Sequence, residues 1–187
     1  MNATPARRLV LLRHAKSAWP DVPDRERPLA KRGQRDAPAA GRWLREADCV
    51  PDRVLCSPAR RAIQTWELAQ SELGASPPVT VEGRVYNASV PELLDVIRAV
   101  PAGIRTLLVV GHDPAVQGVA LTLVGGTDGA GRPAGGPDGS AAETIDRMRA
   151  KFPTAAIAVL ELTGTWRQLR PGQARLARFV VPRDIPG

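Results

Sequence analysis

LVLLRHAKS, residues 9–17, decides how this chain is to be read. Leu9-Val10-Leu11-Leu12 is an unbroken apolar run with the length of a strand buried on both faces. It stops on Arg13 and His14, where a strand leaving a core usually turns on Gly, Asn or Asp. A guanidinium beside an imidazole at that place is either surface chemistry or the rim of a site.

Working outward, further apolar runs at 53–56, 79–81, 106–110, 155–162 and 176–181 alternate with helical patterns. The helices fall at roughly 31–46, 58–73, 91–99, 114–124 and 141–151. This alternation predicts an α/β fold around a mostly parallel sheet. Ser57-Pro58 and Asp113-Pro114 each pair a capping residue with a proline suited to a first helical position. Ser89 and Glu92 have the spacing of a capping box. Residues 125–140, GGTDGAGRPAGGPDGS, cannot bury apolar area, so a surface loop is expected there, as a lid or a passive insertion. At 187 residues and 43% hydrophobic content, one domain over residues 1–187 suffices.

The net charge of +7 hints at anionic ligands, but no basic block appears and aromatic residues make up only 4%, so a nucleic-acid partner is not expected. The N-terminal MNATPARR lacks the apolar run of a secretion signal, and no stretch approaches the ~20 apolar residues of a membrane span. A soluble, cytoplasmic chain is the expectation. Cys49 and Cys56 have no metal-site or disulfide spacing and are read as packed thiols.

Three strand-to-helix junctions carry the chemistry, because ligands of open parallel sheets bind beyond the carboxyl ends of the strands. They are Arg13-His14, CSPARRA at 56–62, and VVGHDPAV at 109–116. Arginine in a helix's first turn opposes the macrodipole by a few tenths of a kcal/mol. A solvated surface explains that for Arg61, while Arg60 beside free helix N–H groups is read as an anion clamp. His14 and His112 are the chain's only histidines, and both occupy such junctions. No Cys, Asp or Glu stands at a ligand spacing from them, so they suit a nucleophile and an electrostatic partner better than a metal pair.

LLRHAKS, RPLAKRG, SPARRAIQT, YNAS and LLVVGHDP together resemble the histidine phosphatase superfamily, above all its SixA-type phosphohistidine phosphatases. The motifs run in family order from residue 9 to about 120, and FPTAAIAVLEL extends the likeness to about 162. The resemblance implies a three-layer α/β/α sandwich of the phosphoglycerate mutase-like kind, with no metal or organic cofactor. It implies a phosphatase acting on phosphomonoesters or phosphohistidine, with His14 transiently phosphorylated and Arg13, Arg60 and His112 holding the phosphoryl oxygens. Arg27 would add a positive edge and Ser17 a hydrogen bond. Glu82 is the candidate general acid and Asp24 an alternative. Ala15 stands where the wider superfamily has glycine. Two other readings stay open: a non-catalytic phosphate- or phosphoprotein-binding module that keeps the pocket, and a mutase-type phosphoryl transferase. The last generally needs longer capping insertions. The partner in every case is a phosphorylated substrate, with neither nucleic acid nor membrane involved.

Overall fold

The computed structural model describes residues 7–125 and 140–185. Its strands are β1 (Arg7–Arg13), β2 (Arg53–Cys56), β3 (Val79–Val81), β4 (Thr106–Gly111), β5 (Ile157–Leu162) and β6 (Ala174–Val180). Its α-helices are α1 (Lys31–Glu46), α2 (Arg60–Leu73), α3 (Val90–Arg98), α4 (Ala115–Val124) and α5 (Ser140–Ala150). All six strands join one sheet in the order β3-β2-β4-β1-β5-β6. β1, β2, β3 and β4 pair in parallel, whereas β5 runs antiparallel to both β1 and β6.

The apolar run of β1 is inaccessible to solvent throughout, and its period of two divides it between two cores. Val10 and Leu12 join Val54, Leu108 and Val110 beneath Leu44 of α1 and Trp66 of α2. Leu9 and Leu11 join Leu107 and Val109 beneath Leu93 of α3, Val119 of α4 and Met148 of α5. Helices therefore cover both faces, giving the expected three layers.

The site is positioned by the way β1 and β4 part company. They are hydrogen-bonded neighbours with Arg13 opposite Gly111. After them the chain enters α1 on one face and α4 on the other, which opens a crevice at their carboxyl ends. The residues that follow in register are His14 and His112.

Helix starts show where local signals are overridden. The Ser89–Glu92 capping box forms as spaced. α2, however, begins at Arg60 with Ala59 as its N-cap, and α4 begins at Ala115 with Pro114 as its N-cap. The Ser57 hydroxyl accepts from the Ala59 amide and has a second partner described below. Two glycines of α1 mark close backbone approaches. A β-carbon on Gly41 would come within 1.9 Å of the Ala69 carbonyl oxygen, and one on Gly33 within 2.2 Å of the Lys16 carbonyl oxygen. The Gly/Pro-rich stretch at 125–140 lies outside the described residues except at its two ends. Among the described residues, no helix is long and apolar enough to cross a membrane.

Candidate active site

Three strand exits lie side by side. The His14 amide donates to the Gly111 carbonyl at 3.0 Å, and the Ser57 amide donates to the Val110 carbonyl at 3.0 Å. The turn after β1 is tied down by Thr65, whose hydroxyl accepts from the Ala15 amide at 2.9 Å and donates to the Arg61 carbonyl at 2.6 Å. The imidazole rings of His14 and His112 consequently face each other with centroids 5.0 Å apart.

Their partners assign the protons. Nδ1 of His14 lies 2.8 Å from the Ala15 carbonyl oxygen, which can only accept, so Nδ1 carries the hydrogen and Nε2 the lone pair. On His112, Nδ1 faces an Arg61 guanidinium nitrogen at 3.4 Å and so accepts, while Nε2 donates to the Ser57 hydroxyl at 2.7 Å. Burial pushes His14 down to about 3; the Ala15 carbonyl opposes this, and His112, Arg61 and Arg13 add to it. Burial, then Arg61, brings His112 down to about 4, with Asp24 opposing and Arg13 adding. Both rings are neutral at physiological pH, as a nitrogen nucleophile requires.

Ring-proton NMR should accordingly show neither histidine titrating between pH 8 and about 5 in the folded protein, against about 6.5 when unfolded. The unfolded chain then binds more protons, so stability falls as pH drops below about 6.5 and on through the two folded values. A midpoint near 6.5 for either folded ring contradicts this assignment.

Adjacent helical positions differ by about 100°, and that rotation reverses the expected placing of the two arginines opening α2. Arg61 is the buried one, with 6% exposure; its guanidinium donates to the Asp24 carbonyl oxygen at 2.7 Å and to Asp24 Oδ2 at 3.0 Å, beside His112. Arg60 is exposed and points into an outer groove with Arg25. The structure therefore puts Arg61, not Arg60, beside His112, against the expectation that Arg61 is solvated and Arg60 faces the site. A signal for this existed: Arg61 belongs to the buried stripe Arg61, Ala62, Thr65, Trp66, Ala69.

Arg13 closes β1 beside Asp113. One guanidinium nitrogen donates to the Phe152 carbonyl at 2.6 Å and lies 3.5 Å from Asp113, leaving its buried Nε without a partner among the described residues. Its charge reaches both histidines. Arg27 and Ser17 come together, but on each other. Arg27 donates to Ser17 at 2.6 Å, to Asp24 at 3.0 Å and to the Ala18 carbonyl at 3.0 Å, and its guanidinium carbon sits 3.2 Å from the Trp19 ring centroid. The pair braces the loop that carries Asp24.

Asp24 is the hub. It accepts from Tyr86 at 2.7 Å and from both Arg27 and Arg61, and the Tyr86 hydroxyl first, then those arginines, hold its carboxyl far below the usual carboxylate range. A group held ionised in this way is no proton donor. Glu82 fails for a similar reason: it caps a short turn, and its carboxylate closes on Arg84 at 2.9 and 3.0 Å and is lowered by that contact. Among the described residues the partners of the two imidazoles are Ala15, Ser57 and Arg61, so Glu82, expected as the acid, is bonded to Arg84 rather than to either ring. Ser57, Thr65 and Tyr86, which orient His112, the Ala15 turn and Asp24, were missed as site residues, although the first two lie within SPARRAIQT. Cys56 is a packed thiol, pushed up to about 12 by burial. Among the described residues, no group of three or more His, Cys, Asp or Glu side chains is placed to hold a metal ion.

Residues 9–89 match the family described as the histidine phosphatase superfamily, branch 1. An uncharacterized protein of Mycobacterium tuberculosis is 42% identical over 92% of this chain and 100% of its own length. Among solved structures, one assigned as the phosphohistidine phosphatase SixA from Nakamurella multipartitia is similar at 36% identity. It covers 97% of this chain and 99% of its own, with a TM-score of 0.82. The corresponding protein from Agrobacterium tumefaciens is 25% identical over 96% and 100%, with a TM-score of 0.75.

Proposed function

Because the chain belongs to the histidine phosphatase superfamily, in its SixA-type branch, and is a phosphatase, we propose that it hydrolyses phosphohistidine on a protein substrate through a covalent phosphohistidine at His14, without metal or organic cofactor. The observation that carries this reading is the buried, neutral His14, whose Nε2 lone pair is free because Nδ1 donates to Ala15. It lies beside His112 and within reach of the charges of Arg61 and Arg13.

The Nε2 lone pair attacks phosphorus in line. The new N–P bond forms as the substrate's P–N bond breaks, and the electron pair leaves with the substrate imidazole. Arg61 and Arg13 offset charge on the equatorial oxygens, the chief protein contribution to phosphoryl transfer, and His112 adds an N–H there when its Nε2 turns from Ser57 to the incoming phosphoryl group. Water then attacks the phosphorus, the pair returns to Nε2, and the water's proton ends on phosphate. An imidazole already protonated on its other nitrogen leaves neutral and needs far less acid assistance than an alkoxide. That Asp24 and Glu82 are both held ionised supports an N–P substrate over a simple alkyl ester.

The test is to expose the protein to a radiolabelled phosphoramidate, quench it rapidly and map the label. An acid-labile, base-stable phosphate on the peptide containing His14 is expected. Label on another residue overturns the nucleophile. Binding of the phosphoramidate with neither label nor turnover turns the reading into that of a phosphate-binding module.

A further inference from the structure

The short turn Asp24–Glu26 docks on the first turn of α2, and this junction has two sides. Inward, Asp24 grips Arg61 beside His112. Outward, the residues adjacent to that pair, Arg25 after Asp24 and Arg60 before Arg61, line a groove of about 640 Å³ together with Pro23, Glu26, Pro58 and Ile63. Neither guanidinium has a hydrogen-bond or ion-pair partner among the described residues, although Glu26 shares the groove. Arg60 also opposes the macrodipole of α2 with no carboxylate to offset it, since the first turn holds no acidic residue. An unpartnered guanidinium one residue from the phosphoryl pocket leaves positive charge available to an external anion.

We propose that this groove selects substrates with acidic side chains beside the phosphorylated histidine, Arg25 and Arg60 pairing with them while the phosphoryl group enters the inner pocket. The proposal rests on the phosphohistidine reading above. Two exposed guanidiniums against the single carboxylate of Glu26 leave the groove net positive. The occupant is an acidic segment of the phosphoprotein, because it complements the net positive lining and because Arg25 and Arg60 adjoin the Asp24–Arg61 pair that lies beside His112.

The test uses three chemically phosphorylated histidine peptides of equal length, flanked by Asp, Ser or Lys. kcat/KM should rank Asp over Ser over Lys, with about a fivefold preference for Asp over Ser at low salt, the effect of a pair of exposed ion pairs. The preference should shrink as salt rises from about 0.01 M to about 1 M and the screening length falls from ~30 Å to ~3 Å. Arg25→Ala with Arg60→Ala should bring the Asp/Ser ratio to about one while the Ser-flanked peptide is still turned over, and Arg25→Glu with Arg60→Glu should reverse it. Equal rates on all three peptides in the wild type, or a preference that survives in the double alanine variant, overturns the proposal alone. Turnover of none of them overturns the phosphohistidine reading, and this proposal with it.

Discussion

His14→Ala is expected to lose at least about 10⁴-fold in kcat/KM on a phosphohistidine peptide and to take up no phosphoryl label, the scale seen when a covalent nucleophile is removed. Among the described residues at the site, neither neighbouring candidate can stand in. His112 has one ring nitrogen committed to Ser57 and the other facing Arg61, and Cys56 is a buried thiol pushed far above neutrality. The fold should survive, because β1 is held along its length by β4 and β5 and, among the described residues, the lost ring contributes a single side-chain hydrogen bond, to Ala15. Circular dichroism and a melting curve check that point. A folded variant within tenfold of wild type would mean the phosphoryl group goes directly to water or to another residue.

The second large effect separates two neighbours. Arg61→Ala should lower kcat by about 10²–10³-fold, the usual loss when a preorganised donor to a developing oxyanion is removed. Arg60→Ala should change turnover of an uncharged-flank substrate by less than about threefold, as for an exposed residue outside the pocket. Part of the Arg61 loss is indirect, since Asp24 would lose a partner that also orients it toward Tyr86. Arg61→Lys discriminates: it keeps the charge but not the forked geometry, so partial recovery is expected. Steady-state kinetics on all three variants decides the matter, and a larger loss at Arg60 than at Arg61 would restore the sequence-based assignment.

Those two arginines show where sequence reasoning stops. Strands and helices were legible because β1 and β4 are buried on both faces and read as continuous apolar runs, and because α1 and α2 carry helical stripes. The pairing of His14 with His112 was legible as two equivalent junctions; that they meet depends on β1 and β4 being neighbours, which no local pattern states. The direction of β5 was not legible either, since a buried antiparallel strand between two partners is as apolar as a parallel one. Arg60 and Arg61 were confused because the helix start was placed at Ser57-Pro58, and a small shift in that start exchanges the inward and outward positions. Asp24 looked like a spare acid in a polar loop. Its part as the shared anchor of Arg27, Arg61 and Tyr86 depends on contacts 3, 37 and 62 residues apart. Ser57 read as a helix cap because capping and holding an imidazole call for the same hydroxyl.

The contact at Gly33 carries a further consequence. Gly33 lies in the first turn of α1, and replacing a helical glycine by alanine ordinarily favours the helix, by up to about 1 kcal/mol in an interior. Here the added methyl would drive into the Lys16 carbonyl, which also receives the Ala30 amide at 2.8 Å, and would lever the segment leading back to the reactive ring. At this spot a sturdier helix and a well-aimed imidazole are competing demands, and a single hydrogen atom is all the room that reconciles them.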